Sequence, residues 1–297
     1  MIIISVGGGL GNQMFEYAFY YKIKKVYQSV DVKLDLFNTL GYSHNGYELE
    51  RIFKVEAPEC SLKELKRVSD VCMANTPFYD LRKFLKRIKH KLLGVKSSCI
   101  MQSDATAYES KFFDLDASKD YFFYGIFANY KFFEDIKDEI LNIYQFPNIE
   151  DACNMQWKEK IINCESVGIH IRRGDYIEWG IDLVPDKFYR NAMKIIEEKI
   201  SNKEVYYFVF TDDAEYVKKH FADVSNMQIV EGNTGINSYI DMQLMSLCKH
   251  NIIANSTFSF WGAFLNENPN KLVIAPDLPY TGCKYPFVCE EWITIQV

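Results

Sequence analysis

The chain opens on an unbroken apolar run, and Ile2–Val6 therefore predicts a buried strand. Glycines at 7, 8, 9 and 11 then predict a turn, Gln13–Gln28 a helix and Val30–Phe37 a second strand, which together make a βαβ start. Residues 38–60 gather turn formers and polar residues, among them Gly41, His44, Asn45, Gly46 and Pro58. They predict a long excursion of the kind that carries substrate contacts. Tyr121–Phe127 predicts a strand and Lys131–Tyr144 a helix, and the Pro147-Asn148 turn with its polar neighbours marks a boundary in Gln145–Asn154. Beyond it the alternation is regular: strands at 167–173, 205–211, 227–231, 251–254 and 272–275, with helices at 186–200, 213–222, 238–248 and 258–266. Strand and helix in strict turn predict a doubly wound parallel sheet. The expected fold class is α/β, two Rossmann-like domains facing across a cleft, divided as residues 1–152 and 153–297.

One helical stretch has a different character. In residues 78–93, Leu81, Phe84, Leu85, Ile88 and Leu92 share a stripe, and Arg82, Lys83, Lys86, Arg87, Lys89 and Lys91 occupy most of the remaining faces. A basic amphipathic helix suits an anionic membrane surface. A helix packed by its apolar stripe with a solvated basic face accounts for the pattern at least as well.

Composition narrows the class. Over 297 residues the hydrophobic share is 48% and the net charge −6, so the core is ample and a general nucleic-acid-binding surface is not expected. Aromatic residues make up 15%, suited to stacking on sugar rings, although packing explains most of them. The eight cysteines are scattered without CxxC or zinc spacing, Met1-Ile2-Ile3-Ile4 lacks the features of a signal peptide, and no apolar run spans a bilayer. Reduced thiols in a cytoplasmic protein are the simplest expectation, with peripheral placement at the inner face of the plasma membrane if residues 78–93 meet lipid.

The chemistry concentrates at predicted strand ends. Val167-Gly168-Ile169-His170-Ile171 delivers Arg172, Arg173, Gly174 and Asp175 where an open α/β sheet binds ligands. Two adjacent guanidiniums match phosphate oxygens and are costly to bury without an anion. Thr211-Asp212-Asp213 follows the next strand, with Asp212 assigned to the ligand and Asp213 to capping the helix beyond. Asp241 sits in an apolar helix turn, equally consistent with dipole compensation and with a specific acceptor. Ser256, Thr257 and Ser259 supply three hydroxyls at a strand-to-helix turn, where capping alone uses one. The segment Gly7–Gln13 allows close backbone approach and adds Asn12 and Gln13 as side-chain donors. With Asp35 on the second strand it approaches a dinucleotide fingerprint but lacks the last glycine. Asp114-Leu115-Asp116 has the letters of a metal-bridging pair but lies in a polar turn, so no metal and no cofactor are expected.

Taken together, Gly8–Phe15, His170–Tyr176, Thr211-Asp212-Asp213 and Ser256–Gly262 resemble glycosyltransferase family 11, the α-1,2-fucosyltransferases, in family order and over nearly the whole chain. The resemblance implies a glycosyltransferase-B type fold with an acceptor-binding N-terminal domain and a C-terminal domain holding GDP-β-L-fucose. It implies inverting transfer to the 2-hydroxyl of a terminal β-galactoside such as lactose, within bacterial surface glycan or O-antigen synthesis. It places Arg172 on the β-phosphate, His170 and Asp241 near the guanine, Asp212 near the nucleoside, and Ser256, Thr257 and Phe258 at the donor. Arg173 joins the donor set, and Asn12 would reach the diphosphate across the cleft. Phe127-Ala128-Asn129-Tyr130 and Phe260 depart from the family pattern.

For the general base, Asp175 leads, then Glu178 and Asp182, each following the arginines. An Asp175 that only orients an arginine is as consistent with the sequence. Two other classes stand beside the transferase: an NAD(P)-dependent oxidoreductase, resting on the βαβ start and Asp35, and a non-catalytic carbohydrate-binding protein. A fucosyltransferase acting on a different acceptor hydroxyl is also open.

Overall fold

The computed structural model describes residues 1–39, 44–68, 81, 84, 85, 88, 98–201 and 203–297. It divides into two compact units, Met1–Ile143 and Tyr144–Val297. The division precedes the expected 152/153 because the connecting residues pack on the second unit. Tyr144 meets Trp261 edge-on, Phe146 stacks on Tyr239, and the Pro147 carbonyl accepts from Gln243 Nε2 at 2.7 Å. A helix, Ala152–Ile162, occupies part of what the sequence presented as boundary, capped by Asp151 on the Asn154 N–H.

In the first unit β1 (Ile2–Ser5) pairs in parallel with β2 (Val32–Asp35) and β4 (Tyr121–Tyr124), and β3 (Cys99–Met101) adds beyond β4. The order is β2-β1-β4-β3. The expected strand to Phe127 stops at Tyr124, since Phe127 adopts a φ of 52° that a strand does not allow. Its ring stacks on Phe19 at 4.0 Å, with Phe112, Phe123 and Phe132 edge-on around the pair. Much of the aromatic content is thus core. The expected helix 131–144 is instead two short 3₁₀ turns followed by a helix at Lys137–Ile143.

The second unit holds a parallel sheet of β5 (Glu165–Ile171), β6 (Val205–Thr211), β7 (Met227–Ile229), β8 (His250–Ile252), β9 (Val273–Pro276) and β10 (Ile293–Ile295). Its order is β10-β9-β8-β5-β6-β7. Side chains two apart share a face, so Val205, Tyr207 and Val209 join the core beneath the helix Asp186–Lys199. Phe208 and Phe210 join the core beneath the helix Tyr239–Leu247. β5 is central, and the chain order reverses there: β6 and β7 continue on one side, β8 to β10 on the other. That reversal is a topological switch point, where open α/β sheets bind ligands beyond the carboxyl ends of their strands.

The basic stretch 78–93 lies outside the described residues, apart from Leu81, Phe84, Leu85 and Ile88, which are exposed. Among the described residues no helix is long and apolar enough to cross a membrane, and every described cysteine is free.

Candidate active site

The switch point brings two chain segments together. β5 pairs with β6 so that Ile171 lies opposite Thr211, which sets Arg172–Asp175 against Asp212 and Asp213 although about forty positions separate them. Arg172 is gripped from two sides: Nη2 donates to Asp175 Oδ2 at 2.6 Å, and Nη1 stands 3.1 Å from Asp212 Oδ2. Burial works against the charged guanidinium, yet the two carboxylates hold its pKa above the ordinary arginine value. Asp212 also accepts the Arg173 N–H at 2.8 Å, so one acid fixes both the backbone and the neighbouring side chain. Gly174 keeps this approach close, since a Cβ there would lie 3.0 Å from Asp212 Oδ2 and press on the carboxylate.

The division of labour expected for the two aspartates holds in part. Asp213 caps the helix Ala214–His220 through the Tyr216 N–H and also takes Arg173 Nε at 3.1 Å. Asp212 faces the arginines. Asp175 stands in the ion pair described, its second oxygen buried and without a partner among the described residues. Glu178 is exposed. Asp182 is turned to Thr281, whose hydroxyl donates to its Oδ2 at 2.9 Å.

His170 is 4% exposed, and burial together with the Arg172 charge pushes its pKa down to about 3, so the imidazole is neutral. Its Nδ1 has no hydrogen-bond partner among the described residues, and its ring lies 5.5 Å from that of Phe258. Asp241 lies in the first turn of Tyr239–Leu247, where Asn233 Nδ2 donates to its Oδ1 at 2.8 Å. Burial pushes this carboxyl up to about 7, the Asn233 bond offsetting part of the cost. Asn233 is itself held by Asn154, their two amides exchanging bonds of 2.8 and 2.9 Å.

The three hydroxyls after β8 separate by role. Ser256 caps the helix Thr257–Phe264 on the Phe258 N–H, and Thr257 opens that helix. Ser259 turns inward, fully buried, donating to the Ala254 and Ser256 carbonyls, so the third hydroxyl counted at this turn serves the backbone. Tyr176, which the sequence did not single out, lies with its ring 5.7 Å from the Arg172 Cζ and donates to the Asn255 carbonyl at 3.1 Å. Asn233 was also missed. The turn residues Glu231–Gly235 after β7 were its only signal.

In the first unit the helix starts at Leu10, earlier than expected, because the Asn12 and Gln13 N–H groups donate to the Gly9 carbonyl. Gly8 has φ of 70° and stands so close to Asn12 that a Cβ would meet its Nδ2 at 2.7 Å. Gln13 is fully buried and is not a ligand donor. Its Nε2 serves the carbonyls of Gly8 and Gly46, and its Oε1 accepts the Glu48 N–H, pinning the excursion to the glycine turn. Glu16 holds that turn from below through the Gly7 N–H, and burial keeps its carboxyl well above the usual range. Asp35 is 2% exposed and bonded to the Phe37 N–H and Ser5, with burial raising its pKa to about 6. Enclosed in this way it is not presented to a ribose, which takes away one of the two features, beside the βαβ start, on which the oxidoreductase reading rested. Asp116 is engaged with Ser118 and Lys119 in an exposed turn. Among the described residues no three His, Cys, Asp or Glu side chains form a metal-holding group.

Each unit is Rossmann-like with a parallel sheet, the first with a glycine turn after β1 and the second with paired arginines at its switch point, and the fold is of the GT-B type. The chain belongs to glycosyltransferase family 11, whose profile matches residues 1–296. It is 32% identical to the alpha-1,2-colitosyltransferase of Escherichia coli, over 93% of this chain and 91% of that protein. It is 31% identical to the O-antigen biosynthesis glycosyltransferase WbnK of Escherichia coli, over 98% of this chain and 99% of that protein. In fold it is similar to the fucosyltransferase NodZ from Bradyrhizobium, with a TM-score of 0.51 at 14% identity, covering 88% of this chain and 92% of that one.

Proposed function

We propose that this glycosyltransferase moves L-fucose from GDP-β-L-fucose to the 2-hydroxyl of a terminal β-galactoside, with inversion, in bacterial O-antigen synthesis. The observation that carries the reading is the arginine pair at the end of β5, where Arg172 and Arg173 stand at the switch point of the second unit. In this mechanism the galactose hydroxyl attacks the anomeric carbon from the face opposite GDP, the bond to the β-phosphate oxygen breaks, and Arg172 offsets the charge that develops there. Asp175, beside Arg172, receives the acceptor proton. The Thr257–Phe264 helix start offers N–H groups to the diphosphate, and Ser256, Thr257 and Phe258 belong to that donor set. Asn12 is assigned to the donor on the family resemblance. No metal or cofactor takes part in this scheme.

Incubation of the full chain with GDP-fucose and lactose is expected to release GDP and give an α-1,2-linked product by linkage analysis. GDP release with a different linkage would overturn the acceptor assignment, and no release at all would overturn the donor. A second reading follows from the similar protein named a colitosyltransferase, in which colitose is the sugar transferred. The same assay run with both sugars as GDP donors separates the two.

The guanine assignment makes a pH prediction. Asp241 has its pKa raised to about 7, and only the ionised carboxylate can accept two guanine N–H donors at once, the neutral acid keeping a single, weaker acceptor oxygen. Binding therefore strengthens as pH rises through 7 and weakens by up to about tenfold per unit below it. Guanosine, which has no phosphate to titrate, isolates the effect in calorimetry, and Asp241→Asn should abolish it. A guanosine affinity that is flat between pH 5.5 and 8 in the wild type would remove Asp241 from the base site.

A further inference from the structure

Arg172 and Arg173 are held in different ways. Both terminal nitrogens of Arg172 face carboxylates, whereas Arg173 engages Asp213 through Nε alone, and no described residue partners its terminal nitrogens. The Arg173 side chain is 18% exposed, and its Cζ stands 3.4 Å from the centroid of the Tyr216 ring. The other face of that ring is covered by His220, with centroids 3.9 Å apart and planes inclined by 22°.

Carboxylates tie this three-layer stack at both ends. Asp186, which opens the helix Asp186–Lys199, accepts from the Tyr216 hydroxyl at 2.5 Å and lies 2.7 Å from His220 Nδ1. Asp213 accepts the Tyr216 N–H with one oxygen and Arg173 Nε with the other. A free arginine loses much rotamer freedom on meeting an anion. Here the guanidinium is already fixed against an aromatic face, where cation–π attraction adds to the ion pair. The ion pair through Nε leaves the two terminal nitrogens to donate elsewhere.

We propose that Tyr216, His220 and Asp186 are positioning residues that hold the Arg173 guanidinium in place, with its terminal nitrogens presented to the diphosphate of a nucleotide-sugar donor. The proposal rests on the reading that the paired arginines take the donor diphosphate.

The experiment titrates GDP and guanosine into the full-length wild type, Tyr216→Leu, Tyr216→Phe, Arg173→Ala and the Tyr216→Leu/Arg173→Ala double variant. Loss of the ring in Tyr216→Leu should weaken GDP about tenfold and leave guanosine within about twofold, since only GDP reaches the fork. Tyr216→Phe keeps the stacked ring and should retain GDP within about threefold of wild type. In the Arg173→Ala background the leucine substitution should have no further effect, because its path to the ligand is gone. Equal weakening of GDP and guanosine, a phenylalanine variant as poor as the leucine one, or a full leucine effect without Arg173 would each overturn the stack. Should Tyr216→Leu fail to fold, His220→Ala carries the same comparison with a smaller, roughly threefold loss. A wild type that binds no GDP would overturn the donor reading itself, whereas GDP binding unmoved by these variants would overturn only the positioning role.

Discussion

Arg172→Ala is expected to lower kcat by roughly 10²–10³-fold, the loss that follows removal of one preorganised donor from a developing oxyanion, about 3 kcal/mol. The structure adds a second cost. Asp175 and Asp212 both face this guanidinium, and its removal leaves two carboxylates beside the place proposed for a diphosphate. Like-charged and without this counter-charge, they should weaken GDP binding as well. Arg172→Lys tests the geometry, since a single ammonium on a flexible stem cannot face both acids and a phosphate as a planar fork does. It should recover only a small part of the lost rate. Steady-state kinetics with GDP-fucose and lactose, alongside thermal denaturation to confirm folding, decide the matter. A folded alanine variant with more than about a tenth of wild-type turnover would remove Arg172 from the transition state.

Asp175→Asn should cost about 10²-fold in kcat while leaving GDP affinity within about threefold, because a proton acceptor contributes on that scale. The asparagine is chosen for its carbonyl oxygen, which can still accept from Arg172 Nη2 and so preserves the clamp while removing basicity. This variant separates the two roles that the sequence left open. If Asp175 only orients Arg172, the asparagine should act almost as wild type, and Asp175→Ala should weaken GDP and kcat together. Near-normal turnover in the asparagine variant would return the base to other groups, Glu178 first among them, since it is exposed while Asp182 is engaged with Thr281.

The two roles of Asp175 illustrate what was legible beforehand and what was not. Local order was legible. Apolar runs such as Val205–Phe210 have no stable place except inside a sheet, and the amphipathic stretch at 186–199 has none except upon one. The ends of these elements were legible to within a few residues, because glycine, asparagine and aspartate cluster there. Asp213 as a cap could be named in advance, since capping depends on a neighbour only three positions away.

Long-range pairing was not legible, and it decided most of the site. Gln13 and Ser259 have the chemistry of ligand donors, yet both are consumed by backbone groups of the folded chain. Phe127 was read by its apolar neighbours as strand, and its ring went instead to the Phe19 face. Asp212 met Arg172 only because β6 lies beside β5 in parallel register, and Tyr216, just beyond β6, met Arg173 by the same route.

The sequence by itself determined the alternation of strand and helix, the family, and which residues could carry charge to an anion. These follow from local hydrophobic period and from residue type. Strand order, and with it the switch point at β5, was decided by the tertiary structure alone. An apolar strand is equally content beside any of several neighbours until all of them are packed at once, and which acid faces which arginine depends on that choice.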